Sequence, residues 1–322
     1  MVFWKIAKWA VSCIALAALG LVVVGGATRL LESRTTFVDF SPQEQPAEPP
    51  LGSAEESERL RFAVATMVSA ETTFSTYQRL VKRIGRDVGR RGTFVLYRSY
   101  ADVRRDLEEG KLHVAFVCTG TYVHGHAGGR IELLVQPEFE KGLDYRSLFI
   151  VPAASPHEAI EDLRGTIVAF TDPESNTGCL VPSATLLNRG LSPKTFFKKV
   201  VFTGSHDRSI SAVALGVVDS AAVDSLVWFS TIREDPSLAD KVRIIWQSEP
   251  YGPPPIVVPR GLDEGLKNAL LQAFLNLDKD EEGREILSSI GIKRFVPARH
   301  EDYQTVTELY ERFQSKGGVV WP

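Results

Sequence analysis

The feature that most constrains the fold is a regular alternation of short apolar strands with amphipathic helices, starting near Leu60 and run through twice. Arg61-Phe62-Ala63-Val64-Ala65 reads as a strand. Residues 76–88 then carry Tyr77, Leu80, Val81, Ile84 and Val88 at helical spacing. Phe94-Val95-Leu96-Tyr97 is the next strand, residues 100–109 a helix stopped by Gly110, and His113-Val114-Ala115-Phe116-Val117 a third strand. This β-α-β-α-β run implies a parallel sheet with right-handed crossovers.

A strand at 148–151 ends on Pro152, and a second run follows. It comprises strand 166–170, helix 179–188, strand 199–202, helix 209–215 and strand 221–223. A strand at 243–246 precedes residues 250–255, which are too proline-rich for a ladder interior and read as a crossover. Ile256-Val257-Val258 and helices at 263–277 and 303–313 close the chain. The predicted class is α/β: two lobes, each a mostly parallel sheet flanked by helices, behind an N-terminal apolar helix. Ligand sites in such sheets lie beyond the carboxyl ends of the strands. The cleft should therefore be lined by the loops after Ala65 and Val117 in one lobe and after Phe170, Phe202 and Val223 in the other.

Ahead of the alternating part, residues 9–27 carry no charge, with Lys5 and Lys8 before them and Arg29 after. At about 1.5 Å per helical residue this run nearly spans a bilayer core. A cleaved secretory signal and an uncleaved anchor both fit. Gly25-Gly26-Ala27 would suit cleavage, while the length favours an anchor. The two lysines favour keeping the N-terminal end inside. The bulk of the chain is expected in the periplasm or otherwise outside the cytoplasm, tethered to the cytoplasmic membrane by residues 9–27. Residues 41–57 include Pro42, Pro46, Pro49 and Pro50 among Glu, Gln and Ser, and read as a tether that cannot offset its ordering entropy. The expected division is a signal-anchor or signal peptide at 1–30 and a tether at 31–57. The first lobe is then 58–151 with 256–322, and the second 152–255.

The net charge of −3 gives no basic footprint, so nucleic acid is not an expected partner. The three cysteines, Cys13, Cys118 and Cys179, form no CxxC pair, and there is no HExxH helix; no metal and no cofactor are expected. A Cys118–Cys179 disulfide would bridge the lobes and restrict closure, so it is not expected. His124 and His126, beside Gly125 and Gly128, read as a flexible surface loop. Tyr77, on an apolar stripe, reads as core rather than ligand, and His113 as structural.

The chemistry concentrates in a few loops. In Asp172-Pro173-Glu174-Ser175-Asn176-Thr177-Gly178, hydroxyls, an amide and free backbone N–H groups meet at a helix start, which suits an anion. Plain N-capping by Ser175 or Thr177 fits equally. Gly204-Ser205-His206-Asp207 stands at another helix start, where Ser205 and His206 would point from the same sheet edge. His206 could donate a hydrogen bond when neutral and add Coulomb attraction when charged. Asp224, in Val223-Asp224-Ser225, repels anions. It either orients His206 or a backbone N–H, or accepts a proton from a protonated ligand. In the first lobe, Ser69-Ala70-Glu71-Thr72-Thr73 and Cys118-Thr119-Gly120-Thr121-Tyr122 each follow a strand and allow close backbone approach. Thr119, Thr121 and Tyr100, the last opening a helix after Ser99, complete the candidate ligand set.

These residues resemble the phosphate, phosphite and phosphonate solute-binding family of ABC importers, over about residues 60–312. The resemblance rests on 172–178 with Val181-Pro182, and on 204–207 through Gly216 and Val218-Asp219 to Asp224-Ser225. It implies a type II periplasmic binding fold, a small phosphorus oxyanion as ligand and an ABC permease as partner. It also implies that Ser175, Asn176 and Thr177 hold phosphoryl oxygens, with His206 and Tyr100 as further ligands. Asn176 stands where a hydroxyl residue is common. Val117-Cys118 replace an aromatic, and Leu226 and Pro254 stand where phosphonate binders place carboxylates for a ligand amine. The expected ligand is thus a plain oxyanion: phosphate, phosphite or a small alkyl phosphonate. Two other readings stay open on the same fold. One is a membrane-anchored sensor acting on a signalling partner. The other is an enzyme using Cys179 or His206, although Cys179 reads better as a small buried hydrophobe.

Overall fold

A computed structural model describes residues 58–140, 143–318 and 321. The expected anchor or signal at 1–30 and the tether at 31–57 lie outside the described residues. The chain opens with β1 (Arg59–Val64), α1 (Ala70–Asp87), β2 (Arg91–Val95), α2 (Tyr100–Glu108), β3 (Val114–Phe116), α3 (Thr119–Ala127) and β4 (Ile131–Glu138). It continues with β5 (Ser147–Pro152), β6 (Ile167–Phe170), α4 (Val181–Asn188), β7 (Lys199–Phe202), α5 (His206–Ala214), β8 (Ser220–Asp224), α6 (Ser225–Glu234) and β9 (Val242–Gln247). It closes with β10 (Ile256–Pro259), α7 (Glu264–Leu275), α8 (Glu281–Ser289), β11 (Arg294–Pro297) and α9 (Gln304–Ser315). Among the described residues no helix is long and apolar enough to cross a membrane.

The strands form two mixed sheets, ordered β11-β4-β10-β3-β1-β2 and β7-β6-β8-β5-β9. β1 lies parallel to both β2 and β3, and β6 parallel to both β7 and β8. β10 runs antiparallel to β3 and β4, and β5 antiparallel to β8 and β9. The sequence boundary at 151 is corrected here: β5 pairs in the second sheet, so the first crossing between lobes precedes Ser147. The expected Pro-rich crossover does fall between β9 and β10, where Pro253, Pro254 and Pro255 fix three consecutive φ angles.

Both sheets are buried on both faces, which explains why their strands read as apolar runs rather than polar–apolar alternations. In β1, Leu60, Phe62 and Val64 pack with Leu80, Ile84 and Phe274, while Ala63 joins Leu107 and Tyr122 on the other face. In β5, Leu148 and Ile150 face Ile210 and Trp228, whereas Phe149 and Val151 face Phe170 and Phe196. The two core residues of each period-2 pair thus serve different clusters.

His124 and His126 lie on α3, not in a flexible loop. The glycine between them serves packing: a Cβ at Gly125 would come 2.2 Å from Ile131 Cδ1. The His126 ring lies 4.3 Å from that of His300. Tyr77 meets Phe116 edge to face, and His113 Nδ1 accepts a hydrogen bond from the Arg61 N–H, as expected of core and structural residues. Cys118 and Cys179 are free buried thiols.

Each sheet has a place where neighbouring strands connect in opposite directions: beside β1 in the first, beside β6 in the second. The loops leaving β1, β3, β6 and β8 converge there, as expected of a crevice in an open α/β sheet.

Candidate functional site

The Ser175 loop leaves β6 and enters one turn of π-helix, Asn176–Leu180, that runs on into α4. Ser175 is the cap: its Oγ accepts from the Gly178 N–H at 3.0 Å. Gly178 is required by crowding, since a Cβ there would lie 2.4 Å from Thr171 Oγ1. Capping and donor roles are therefore divided. Ser175 closes the turn, which leaves the Asn176 amide and the Thr177 hydroxyl buried with no partner.

His206 opens α5 and is fully buried. The Asp224 backbone N–H donates to its Nδ1 at 3.1 Å. Nδ1 must then be the acceptor, so the neutral ring carries its proton on Nε2. The Thr171 hydroxyl, 2.9 Å from Nδ1, donates to the same atom. Nε2–H is buried without a partner. Burial pushes the imidazole pKa down to about 3, so the ring is a neutral donor at ordinary pH.

Two first-lobe hydroxyls share this condition, Tyr100 at the start of α2 and Thr121 in the first turn of α3. Burial holds the Tyr100 phenol well above its usual pKa, so it keeps its proton to donate. Among the described residues, twelve buried side-chain atoms lack a hydrogen-bond partner, and six belong to Tyr100, Thr121, Asn176, Thr177 and His206. Neighbouring residues brace Asn176 and Thr177. Asn176 N–H donates to Cys118 Sγ (3.4 Å), Cys118 Sγ lies 3.7 Å from the Tyr145 hydroxyl, and Ser147 Oγ donates to the Thr177 carbonyl (2.6 Å).

The other candidates are committed elsewhere. Thr119 Oγ1 donates to the Gly252 carbonyl (2.8 Å), and Ser205 Oγ to Asp207 Oδ1 (2.5 Å). Asp224 caps α6 by accepting from the Leu226 N–H at 2.7 Å. It orients His206 through its backbone N–H, not through its carboxylate. Burial raises the Asp224 carboxyl to about 7 and the Asp172 carboxyl to about 6.

Sequence reasoning did not identify the supporting residues Thr171, Tyr145 and Ser147. Thr171 follows a strand next to the recognised motif and could have been found as a neighbour of His206. Tyr145 sits in an irregular segment with no periodic signal.

The lobes touch through the same loops. Tyr100 N–H donates to Asp172 Oδ2 (3.2 Å), His206 N–H to the Met67 carbonyl (2.9 Å) and Ser69 N–H to Asp207 Oδ2 (3.0 Å). Arg104 pairs with Glu174 at 2.9 Å. A Cβ on Gly120 would stand 2.3 Å from the Glu174 carbonyl oxygen and 2.9 Å from Asn176 N, so only glycine permits this approach.

The buried donors are electrically neutral. The one buried cation among the described residues, Arg83, is held by Asp280 and Asp87 in the first lobe. An unpartnered buried polar group costs about 1–3 kcal/mol. Five such side chains together weigh heavily against a typical total stability of about 5–15 kcal/mol. A compact tetrahedral oxyanion, with several acceptor oxygens, would satisfy such a set. Among the described residues no group of three or more His, Cys, Asp or Glu side chains is placed to hold a metal ion.

Comparison with known proteins gives the family and the fold. Residues 62–303 match the family described as "ABC transporter, phosphonate, periplasmic substrate-binding protein". The chain is 27% identical over 189 residues to the Prochlorococcus marinus (strain MIT 9301) protein named "Probable ABC transporter phosphite binding protein PhnD1", covering 55% of this chain and 63% of that one. It is 25% identical over 203 residues to the "Phosphate-import protein PhnD" of Mycolicibacterium smegmatis, covering 60% and 63%. The matches thus span under two thirds of either relative. In fold, the chain superposes on a binding protein component of an ABC phosphonate transporter from Pseudomonas aeruginosa (TM-score 0.75, 20% identity, 80% of this chain and 87% of that one). It also superposes on the methylphosphonate complex of Prochlorococcus marinus PhnD1 (TM-score 0.73, 21% identity, 80% and 98%). The two-lobed architecture expected from sequence is therefore that of the type II periplasmic binding proteins.

Proposed function

Because the chain belongs to the periplasmic substrate-binding protein family of phosphonate ABC transporters, we propose that it captures a small phosphorus oxyanion outside the cytoplasm and delivers it to an ABC permease. The observation that carries this reading is the cluster of partnerless buried groups: Tyr100, Thr121, Asn176, Thr177 and His206 Nε2. The relatives' names, which cite phosphite, phosphate and phosphonates, support the ligand class. Residues 9–27 would hold the protein at the cytoplasmic membrane, beside its permease. Binding and release need no nucleophile. Burial raises the Cys179 thiol far above its usual pKa, the reverse of what an attacking thiolate needs.

The ligand oxygens would accept from neutral donors whose orientation is fixed before binding, with His206 locked by Thr171 and Asp224. A thermal-shift screen of phosphate, phosphite, methylphosphonate, sulfate and carboxylates on the full-length protein tests the proposal. A phosphorus oxyanion at about 100 times its Kd should add about 2.7 kcal/mol of stability. At the same ligand concentration Thr177→Val and His206→Ala should cut the gain to about 1.4 kcal/mol or less. Stabilisation by sulfate or carboxylates with none by phosphorus oxyanions would refute the assignment.

A further inference from the structure

Between the lobes, next to the donor cluster, lies a cavity of about 180 Å³. Ala65, Phe116, Asp224 and Pro254 form its buried end. Met67, Tyr77, Leu226 and Val227 form its walls, and the exposed Glu234 and Ser289 mark its mouth. Two residues join it to the oxyanion site. The Asp224 backbone N–H holds His206 Nδ1, and the Met67 carbonyl accepts the His206 backbone N–H.

The walls are mainly apolar, and the carboxylates on the lining are occupied or remote. Both Asp207 oxygens are taken, by Ser205 Oγ and the Ser69 N–H. Asp224 Oδ1 is taken by the Leu226 N–H, and Glu234 is exposed at the mouth. Leu226 and Pro254, the two positions where an amine-binding relative would carry carboxylates, both line this space. Burial keeps the Asp224 carboxyl protonated below its pKa of about 7, so in that range a buried ammonium would find no charged partner to offset its desolvation here, whereas hydrocarbon would displace water at a gain. An apolar cavity of about 150 Å³ is known to hold a benzene molecule.

We propose that the ligand's second half is an uncharged apolar substituent, a short alkyl chain or a phenyl ring, seated in this cavity while the phosphorus oxyanion sits on the donor cluster. This rests on the oxyanion reading above and narrows it from a plain anion to a substituted one. The shared chemistry is a tetrahedral phosphorus oxyanion bearing hydrocarbon, attached through carbon (a phosphonate) or through oxygen (a phosphate monoester).

The test is calorimetric titration of the full-length protein with methyl-, ethyl-, propyl-, butyl- and phenylphosphonate, butyl phosphate and 2-aminoethylphosphonate. Affinity should rise about fourfold per added methylene as far as butyl, and phenylphosphonate should bind more tightly than methylphosphonate. Whichever butyl compound binds better, a lead over methylphosphonate supports the class and identifies the linkage. Affinity that is flat or falls from methyl onward overturns the inference, as does 2-aminoethylphosphonate binding more tightly than propylphosphonate. Leu226→Trp, which fills the cavity, should bring the butyl-to-methyl affinity ratio from about 60 towards one. An unchanged ratio places the chain elsewhere and also overturns it. If methylphosphonate and phosphate themselves fail to bind, it is the oxyanion reading that falls.

Discussion

His206 shows how much a single residue's role depends on its neighbours. Its ring is a donor only because the Asp224 N–H and the Thr171 hydroxyl both claim Nδ1. His206→Ala removes a hydrogen bond to a charged group, a loss of about 1.5–3 kcal/mol. Calorimetry should show methylphosphonate affinity falling about 10- to 100-fold. The pH behaviour is set by opposing groups. The Asp224 pKa of about 7 lies above the ~3.9 of an unfolded aspartate. Its contribution to stability is thus complete at low pH and is lost as pH rises through 7. His206, near 3 when folded against ~6.5 unfolded, contributes above pH 6.5 and loses that contribution as pH falls. Between pH 6.5 and 8, Asp224 dominates, so the ligand-free protein should lose stability as pH rises. Asp224→Asn, which can still cap the Leu226 N–H, should flatten that slope in urea titrations. It should also strengthen anion binding at pH 8, where the native carboxylate repels the ligand.

At the scale of elements, the loops leaving β3 and β6 must fit together closely. Gly120→Ala would push a methyl into the Glu174 carbonyl across the cleft. Each lobe's own packing is untouched, so the ligand-free melting temperature should move by only a few degrees while affinity drops at least tenfold. An unchanged affinity would show that the approach at Gly120 is dispensable. The motif at 172–178 was legible in sequence because a strand end, polar residues and a helix start lie within a few positions. What could not be read was which hydroxyls are spent on the fold. Ser175, Thr119 and Ser205 look equivalent to Thr177 and Thr121 in sequence. Only tertiary contacts send them to Gly178, Gly252 and Asp207. β4 and β11 were missed for a related reason. Pro137 and Pro297 interrupt their patterns, and both strands lie at or next to the sheet edge, where proline is tolerated. β5 was recognised as a strand but placed in the wrong lobe, because strand pairing across distant sequence leaves no local signature.

At the scale of the molecule, the lobes meet through polar ties, Tyr100 to Asp172, Arg104 to Glu174, Ser69 to Asp207, His206 to Met67 and Asn176 to Cys118, and through Leu180 and Ala184, which pack with Tyr122 and Phe313 of the first lobe. A ligand held between the lobes would add to the closing free energy that these contacts supply. Arg104→Ala should therefore shift the ligand-free population towards an open form. X-ray scattering should record a larger radius of gyration, restored by saturating methylphosphonate, and apparent affinity should fall by the lost closed fraction. A crystal structure of the protein grown with methylphosphonate would show whether the buried donors hold the anion. Phosphonate oxygens should stand at hydrogen-bonding distance, about 2.7–3.2 Å, from His206 Nε2, Thr177 Oγ1 and the Asn176 amide, with the methyl group directed towards Leu226. A phosphonate bound outside this cluster, or absent from it at saturating concentration, would show that these donors do not form the anion site.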